Sequence, residues 1–476
     1  MSLALISNVI FSINLILILF LIFVERKNPS VTWAWVLILS FIPILGFIVY
    51  VLFGQNLTKQ KMFSKKIISD KEKQDYIDNI SANYKNDPIS DKYASLIKMN
   101  QKNADATYTQ NNKIMPFFDG KDLFEDIFKE LEKSKEFIHI EFYIFKTDDL
   151  GKRFMDILIK KAKEGVEVKL LIDALGNGIN KQYIKALEEA GGKYSVFFRS
   201  ILKYVNKRIN YRNHRKIIII DGKTAYLGGF NVGNEYIGED KNIGYWRDTH
   251  LKIQGNAINE LQTRFILDWT YTNDDYNFKN YLKYFKKPQF NYSSVVGMQI
   301  VSSGPDHDKQ QIKNGYIKII NDAKKNVFIQ TPYFVPDDCM FDCIKMAATS
   351  GVDVRLMIPK NPDHIFMSWI ANSYLEELLE SGVKVYLYNN GFIHSKCIVS
   401  DCSVCSIGTA NMDIRSFQLN FETNAFIYNE KICNQVENQF LKDIKYCNEL
   451  TLKSYKNRSV ANKFFEPICR LISPLA

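Results

Sequence analysis

The most constraining feature of the 476-residue chain is a frame that occurs twice. His214-Arg215-Lys216-Ile217-Ile218-Ile219-Ile220-Asp221 leads to Gly228-Gly229-Phe230-Asn231. His394-Ser395-Lys396-Cys397-Ile398-Val399-Ser400-Asp401 leads to Gly408-Thr409-Ala410-Asn411. Both read H-x-K-x4-D-x6-G-x2-N, and the second lies 180 residues after the first. The flanking chain repeats as well. Strand-like Phe137–Tyr143 matches Val327–Tyr333, Glu164–Ile172 matches Ser350–Ile358, and Leu187–Tyr194 matches Leu379–Tyr386. In both members of the second pair a helical stretch ends at glycine and a β-branched run follows, which is an α-to-β handover. The chain is therefore expected to hold two copies of one α/β unit, at 112–290 and 291–476, each with a largely buried sheet.

Alternation along a strand puts His214 and Lys216 on one face, and likewise His394 and Lys396. Asp221 is seven residues from His214 and falls on the opposite face, where Asp221-Gly222 reads as a turn. On residue chemistry alone the His–Lys pairs carry the reaction and the aspartates anchor structure. Asn231 and Asn411 can offer amide donors to an oxyanion. Two repeats set face to face would supply two imidazoles, two ammonium groups and two carboxamides, without a metal-ligand cluster. That set suits a phosphodiester: one neutral His attacks phosphorus, the other protonates the leaving alkoxide, and the cations balance the equatorial oxygens. A nucleophilic imidazole also needs a carboxylate to orient it. Asp248 and Glu422, each downstream of one motif, are the candidates.

Composition narrows the setting. Lys plus Arg number 62 against 52 Asp plus Glu, a net charge of +10, which favours an anionic partner without choosing among nucleic acid, anionic lipid and phosphate esters. The eight Cys all lie in the last third, so no disulfide framework is expected, and Cys402-x-x-Cys405 has no second pair at zinc spacing. Leu3–Val24 and Val31–Gly54 are uncharged runs, each long enough as a helix to span roughly 33–36 Å and cross a bilayer. They are expected to form a transmembrane hairpin over residues 1–57, with spans at 3–24 and 31–54. Arg26 and Lys27 in the short loop are outnumbered by Lys59, Lys61, Lys65 and Lys66 after the second span, so the large C-terminal part is expected on the cytoplasmic face. Residues 58–111, rich in Lys, Asn, Asp and Gln, read as a linker with one short helix near Asp91–Met99.

These residues resemble a known family. The two H-x-K-x4-D motifs are similar to those of the phospholipase D superfamily, and the chain resembles the bacterial cardiolipin synthases within it. Asn28-Pro29 with Thr32-Trp33-Ala34-Trp35, Trp246-Arg247-Asp248-Thr249-His250, Ser302–Pro305, Thr331–Pro336 and Asn411–Glu422 carry the likeness across nearly the whole chain. The resemblance implies an N-terminal two-helix transmembrane hairpin followed by two tandem phospholipase D-like α/β domains sharing one active site. It implies a multi-pass protein of the cell membrane that condenses two phosphatidylglycerol molecules to cardiolipin plus glycerol through a phosphohistidine. It implies no cofactor, no metal and no nucleic-acid partner, and leaves the oligomeric state unknown. It carries over His214, Lys216, Asp221, His394, Lys396 and Asp401 as the catalytic set, with the first His as nucleophile and the second as acid/base. Gly229 and Thr409 stand where many members have Ser, a departure expected to alter phosphate hydrogen bonding.

Other features are weighed against plainer roles. Phe197–Lys216 is a basic, aromatic insertion that the second repeat lacks, and it reads as a lid for anionic headgroups. His139 and His250 read as hydrogen-bonded residues that support the structure or the site, His307 equally as a residue lining the site or one of a surface loop, His364 as a loop residue with substrate contact the alternative, and Tyr271, Tyr276, Tyr281 and Tyr284 as packing rather than lipid contact. The rival functions are a phospholipase D that uses water, a transferase that uses ethanolamine or another alcohol, a nuclease, and a non-enzymatic binder of anionic lipid or nucleic acid.

Overall fold

The computed structural model describes residues 3–25, 29–50, 63, 66, 88–198, 210–275, 278–286, 296–363 and 365–472. The chain divides into two compact units, Met1–Lys71 with Ser200–Tyr211, and Glu72–Arg199 with Arg212–Ala476.

In the first unit the apolar runs form helices Leu3–Phe20, extended by a π-helical turn Leu21–Glu25, then Pro29–Phe41 and Pro43–Val49. The second run is not one uninterrupted span. Ile42 leaves helical geometry (φ −129°, ψ 64°) immediately before Pro43, whose ring cannot follow a helical residue without strain. Among the described residues, no helix is long and apolar enough to cross a membrane. The packing is nonetheless inverted relative to a water-soluble hairpin. Phe11, Phe23, Trp33 and Phe41 are 62–80% exposed, while Asn14 is buried and donates from Nδ2 to the Leu39 carbonyl (3.1 Å).

The second unit holds the duplicated architecture. In chain order its principal strands are β1 (Asn112–Asp119), β2 (Phe137–Phe142), β3 (Glu167–Asp173), β4 (Lys193–Phe197), β5 (Arg212–Asn213), β6 (Ile217–Ile220), β7 (Thr224–Gly228) and β8 (Trp246–Gly255). The second repeat continues with β9 (Gly297–Ser303), β10 (Asn326–Gln330), β11 (Asp353–Pro359), β12 (Lys384–Tyr388), β13 (Phe392–Ile393), β14 (Cys397–Ser400), β15 (Val404–Gly408), β16 (Asn420–Tyr428) and β17 (Cys447–Leu450). Among the described residues the first sheet runs β1-β8-β7-β6-β2-β3-β4 and the second β9-β16-β15-β14-β10-β11-β12-β17. Position for position the order is the same, with β17 as an added edge. Central β6 is four isoleucines, all buried, as a strand covered on both faces requires.

Two short strands cross between the sheets. β13, which leads into His394, pairs with β8 (Trp246↔Phe392, Arg247↔Ile393). β5, which leads into His214, pairs with β16 (Asn420↔Arg212, Phe421↔Asn213). The backbone N–H of each histidine then donates into the opposite repeat, His214 to Phe421 O (2.9 Å) and His394 to Arg247 O (2.7 Å).

Asp221 and Asp401 follow β6 and β14 in left-handed geometry (φ +53° and +50°). The Asp221 carboxylate accepts from the backbone N–H groups of Lys135, Glu136 and Phe137 at 2.8–2.9 Å. Asp401 does the same for Lys324, Lys325 and Asn326 at 2.8–3.1 Å. Each aspartate thus pins the loop entering the neighbouring strand.

The expected linker is corrected over its last part. Helix Ala94–Ala104 joins the second repeat's core through Leu96 and Ile97. Tyr93 Oη lies 2.5 Å from Ser403 Oγ, and Asn100 Nδ2 donates to Gln299 Oε1 (3.2 Å). At the other end of the unit, helix Val460–Ile472 stacks Phe465 on Trp369 (4.8 Å between ring centres) and turns Val460, Phe464 and Leu471 outward, 63–82% exposed.

Candidate active site

Because β5 and β13 have each crossed to the opposite sheet, the two motif histidines meet at the junction of the repeats. They line one cavity of about 420 Å³ together with Asn231 and Asn411. His214 and His394 are each only 8% exposed, so both rings are shielded from bulk water on all sides but this one.

Each ring is held by a carboxylate from the other repeat. His214 Nδ1 lies 3.0 Å from Glu422, on β16. His394 Nδ1 lies 2.6 Å from Asp248 Oδ2, on β8. A carboxylate at Nδ1 favours the Nδ1–H tautomer and leaves the Nε2 lone pair for chemistry. Asp248 and Glu422 are themselves fully buried. Burial pushes both carboxyls up, but His214 and Lys216 outweigh it at Glu422, and Lys396 and His394 outweigh it at Asp248, so both are held below the usual carboxylate range.

Lys216 and Lys396 lie beneath the rings, buried, and donate from Nζ to the carbonyls of His214 (2.6 Å) and His394 (2.5 Å). This is the same-face geometry that strand alternation predicts for positions i and i+2. Desolvation pushes Lys216 down to about 7 and Lys396 to about 8. Both imidazoles are also pushed down. For His214 burial outweighs the attraction of Glu422. For His394 burial and then Lys396 carry it to about 3. Both rings are therefore held neutral at physiological pH.

The asparagines differ in detail. Asn231 is oriented by Ile144 N–H donating to its Oδ1 (3.1 Å) and by its Nδ2 donating to Tyr236 Oη (3.3 Å). Asn411 lines the cavity with its Oδ1 buried and unpartnered among the described residues. The serine-to-Gly/Thr departure acts on the carboxylates, not on the cavity. Thr409 Oγ1 donates to Glu422 Oε2 (2.5 Å). A Cβ at Gly229 would sit 2.1 Å from Asp248 Oδ1.

Of the residues picked out by sequence, the structure brings together the two histidines, both lysines, both asparagines, Asp248 and Glu422. Asp221 and Asp401 do not line the cavity, and each accepts backbone N–H groups at the start of a neighbouring strand. His139 is a core residue, stacked on Phe265 (4.6 Å) with Gln262 at Nδ1. His250 is corrected: it is buried, yet neither ring nitrogen has a hydrogen-bond partner among the described residues. His307 is exposed and outside the cavity. His364, Tyr276 and most of the basic insertion, 199–209, lie outside the described residues. Sequence reasoning passed over Tyr143, whose ring meets His214 edge-on at 4.9 Å, and Arg415, which also lines the cavity. The only signal for Arg415 was its place in Asn411–Ser416; Tyr143 carried none beyond closing the first strand.

Paired repeats that each bring the histidine and asparagine of one repeated frame to a shared cavity, with the frame's lysine buried behind the histidine, define a phosphodiester-transferring enzyme of the phospholipase D superfamily. Comparison with known proteins refines this. Residues 127–269 and 316–444 match the family profile described as cardiolipin synthase, PLD-like domain, and residues 12–55 match that of the phospholipase D-nuclease N-terminal segment. The chain is 59% identical to a cardiolipin synthase of Clostridium perfringens over 454 residues, 95% of each chain. It is 45% identical to the major cardiolipin synthase ClsA of Bacillus subtilis, covering 98% of each. Among solved structures, the phosphatidylserine synthase of Haemophilus influenzae shares the fold, with a TM-score of 0.63 at 14% identity over 80% of this chain and all of that one. The chain belongs to the cardiolipin synthase family of phospholipase D-like enzymes.

Proposed function

We propose that the protein condenses two phosphatidylglycerol molecules to cardiolipin plus glycerol at the cell membrane. The observation that carries this reading is the pair of imidazoles in one cavity, each braced at Nδ1 by a carboxylate. His214 Nε2 attacks the phosphorus of the first lipid. The bond from phosphorus to the headgroup glycerol breaks, and His394 gives that alkoxide a proton, so glycerol leaves and a phosphohistidine remains. His394, now neutral, takes the proton of a headgroup hydroxyl on the second lipid. That oxygen attacks phosphorus, the N–P bond breaks, and cardiolipin forms with both histidines restored. Burial and Lys396 hold His394 neutral, so the proton it gives is taken up from solvent when the substrate's negative charge offsets the lysines that otherwise repel it. Lys216, Lys396, Asn231 and Asn411 stabilise the charge that builds on the equatorial oxygens. Asp221 and Asp401 support the motif strands without touching substrate.

The cavity's volume supports headgroup chemistry at a lipid surface. About 420 Å³ suits a small-molecule ligand, so the acyl chains stay outside. The outward apolar side chains of the N-terminal unit, and of Phe464 and Leu471, support a seat in the membrane, and the excess of Lys59, Lys61, Lys65 and Lys66 over Arg26 and Lys27 supports the cytoplasmic face for the catalytic repeats (112–290 and 291–476).

The test is reconstitution of the full chain in vesicles containing phosphatidylglycerol labelled in its headgroup glycerol. Cardiolipin and free glycerol in equal amounts are expected. Phosphatidic acid in place of cardiolipin would make the enzyme a hydrolase, and no glycerol release at all would overturn the reaction.

A further inference from the structure

Lipid must reach the cavity, and the apolar side chains of the N-terminal unit leave open which face of the catalytic unit meets the bilayer. Helix Val460–Ile472 divides by helical spacing into two sides. Asn462, Glu466, Cys469 and Arg470 lie on the inner side, half-buried or buried. Val460, Phe464, Ile468 and Leu471, at i, i+4, i+8 and i+11, form one stripe turned to solvent, 42–82% exposed.

The inner side is clamped along helix Ile365–Glu380. Asn462 Oδ1 accepts from Trp369 Nε1 (3.2 Å), and Phe465 stacks on the same indole. Just upstream, Tyr455 Oη donates to the Asn372 carbonyl (2.8 Å). Arg470 pairs with Glu377 (3.2 Å) and lies over the Tyr374 ring (4.6 Å). Glu466, 1% exposed, pairs with Arg458 (2.7 Å). A helix tied down on one side, with four large apolar side chains held outward on the other, is preorganised to meet an apolar phase.

Two observations name that phase as a lipid surface with anionic headgroups. The first is charge. Residues 451–472 contain Lys453, Lys456, Arg458, Lys463 and Arg470 against Glu466 alone. Arg458 and Arg470 serve the clamp, and Lys456 reaches Glu376 and Glu380 only at 3.8–4.0 Å. Lys463 is exposed at the flank of the stripe and Lys453 just upstream. Their long stems let the ammonium groups sit at headgroup level while apolar neighbours sink deeper. The second observation is continuity with the site. Helix Ile365–Glu380 lines the catalytic cavity through Met367. Two residues on, Trp369 carries Phe465, whose ring meets Phe464 edge-on at 5.4 Å. An apolar path thus leads from the cavity to the exposed stripe.

We infer that helix Val460–Ile472 is an interfacial helix: it lays Val460, Phe464, Ile468 and Leu471 into the acyl boundary of an anionic bilayer and so holds the mouth of the catalytic cavity at the lipid surface. This rests on the reaction proposed above, and it assigns the face of the catalytic unit that meets the membrane.

The experiment uses the full chain in vesicles of phosphatidylglycerol and phosphatidylcholine. Phe464→Trp adds one tryptophan, whose emission is the difference from the wild-type chain. That emission should shift to the blue and be quenched at least about twofold when the phosphatidylglycerol is brominated on its acyl chains. Emission typical of an indole in water, unquenched by bromine, would overturn the inference. A kinetic arm compares glycerol release from vesicles with release from dihexanoyl phosphatidylglycerol kept below its micelle concentration. Phe464→Ser combined with Leu471→Ser should lower the vesicle rate about tenfold to a hundredfold and leave the monomer rate within about twofold. Lys453→Glu combined with Lys463→Glu should lower the vesicle rate most at low salt, where the attraction is unscreened. Equal losses on vesicles and monomers would overturn the inference, because the helix would then serve the fold or the cavity. No loss on vesicles would overturn it too, and so would a wild-type dimer that the Phe464→Ser, Leu471→Ser pair splits, since a second copy would then cover the stripe. Glycerol leaves in condensation and hydrolysis alike, so phosphatidic acid in place of cardiolipin would overturn the proposed reaction while the emission and the rate ratio still judge the docking face.

Discussion

The two repeats present the same frame and surround it differently. Around His394 the carboxylate is short, Asp248, set 2.6 Å from the ring and accepting from Thr249 N–H (2.7 Å). Gly229 leaves it space that no other residue could. Around His214 the carboxylate is longer, Glu422, set at 3.0 Å and shared with the Thr409 hydroxyl and the Asn420 amide. The residue between His and Lys differs too. Arg215 forms a buried ion pair with Asp268 (2.7 Å) and donates to Thr423 (2.9 Å), whereas Ser395 needs only Thr249 Oγ1 (2.8 Å). A duplicated motif can thus hold unlike imidazoles without changing its own letters, because what differs is supplied from across the junction.

Four experiments bear on that comparison. The largest effect is expected at the rings: His214→Ala and His394→Ala should each cut cardiolipin synthesis by at least ~10³-fold. A lipid with a p-nitrophenol leaving group then separates their roles, because it needs no proton. His394→Ala should still give a burst of p-nitrophenol and His214→Ala none; the opposite pattern would exchange the roles.

Next come the crossed carboxylates. Glu422→Gln and Asp248→Asn should each cost about 10²–10⁴ in kcat, the range for mis-set imidazole tautomers. The nitrophenol burst should be lost with Glu422→Gln and kept with Asp248→Asn, following the histidine each one touches rather than the motif it lies nearest in sequence. Gly229→Ala should approach the Asp248→Asn loss by displacing the same carboxylate, while Thr409→Ala should cost only about three- to tenfold, one neutral hydrogen bond.

The pH profile should reflect the lysines. Both ammonium groups lose their protons early, Lys216 at about 7 and Lys396 at about 8, so kcat/KM should fall on the alkaline side between those values. On the acid side the depressed histidines stay neutral, so no loss should begin until pH is below the ordinary imidazole value of about 6.5. An alkaline limb above pH 10 would mean that the lysines are solvated.

The smallest effect on catalysis should come from the anchors. Asp221→Ala and Asp401→Ala should lower stability by about 2 kcal/mol each, through three lost amide contacts. Thermal melts should show the larger drop for Asp221, which is the more buried.

The recurrence of the frame, its strand alternation and the turn at Asp221-Gly222 were legible because they depend on local geometry. Who partners whom was not. Asp248 follows the His214 motif and Glu422 follows the His394 motif, so chain order suggests each serves its own repeat. The crossing of β5 and β13 reverses that, and two-residue strands leave no periodic trace. Helix Ala94–Ala104 was partly legible: Tyr93, Leu96 and Ile97 sit at i, i+3 and i+4, but the polar composition of their neighbours spoke for a linker.

The crossed bracing also has a genetic consequence. His214 depends on a residue 208 positions downstream, and His394 on one 146 positions upstream. A lesion in either copy therefore silences the other copy's histidine, and neither copy can be shed, split off or allowed to decay while its twin carries on alone. What began as redundancy has become mutual custody.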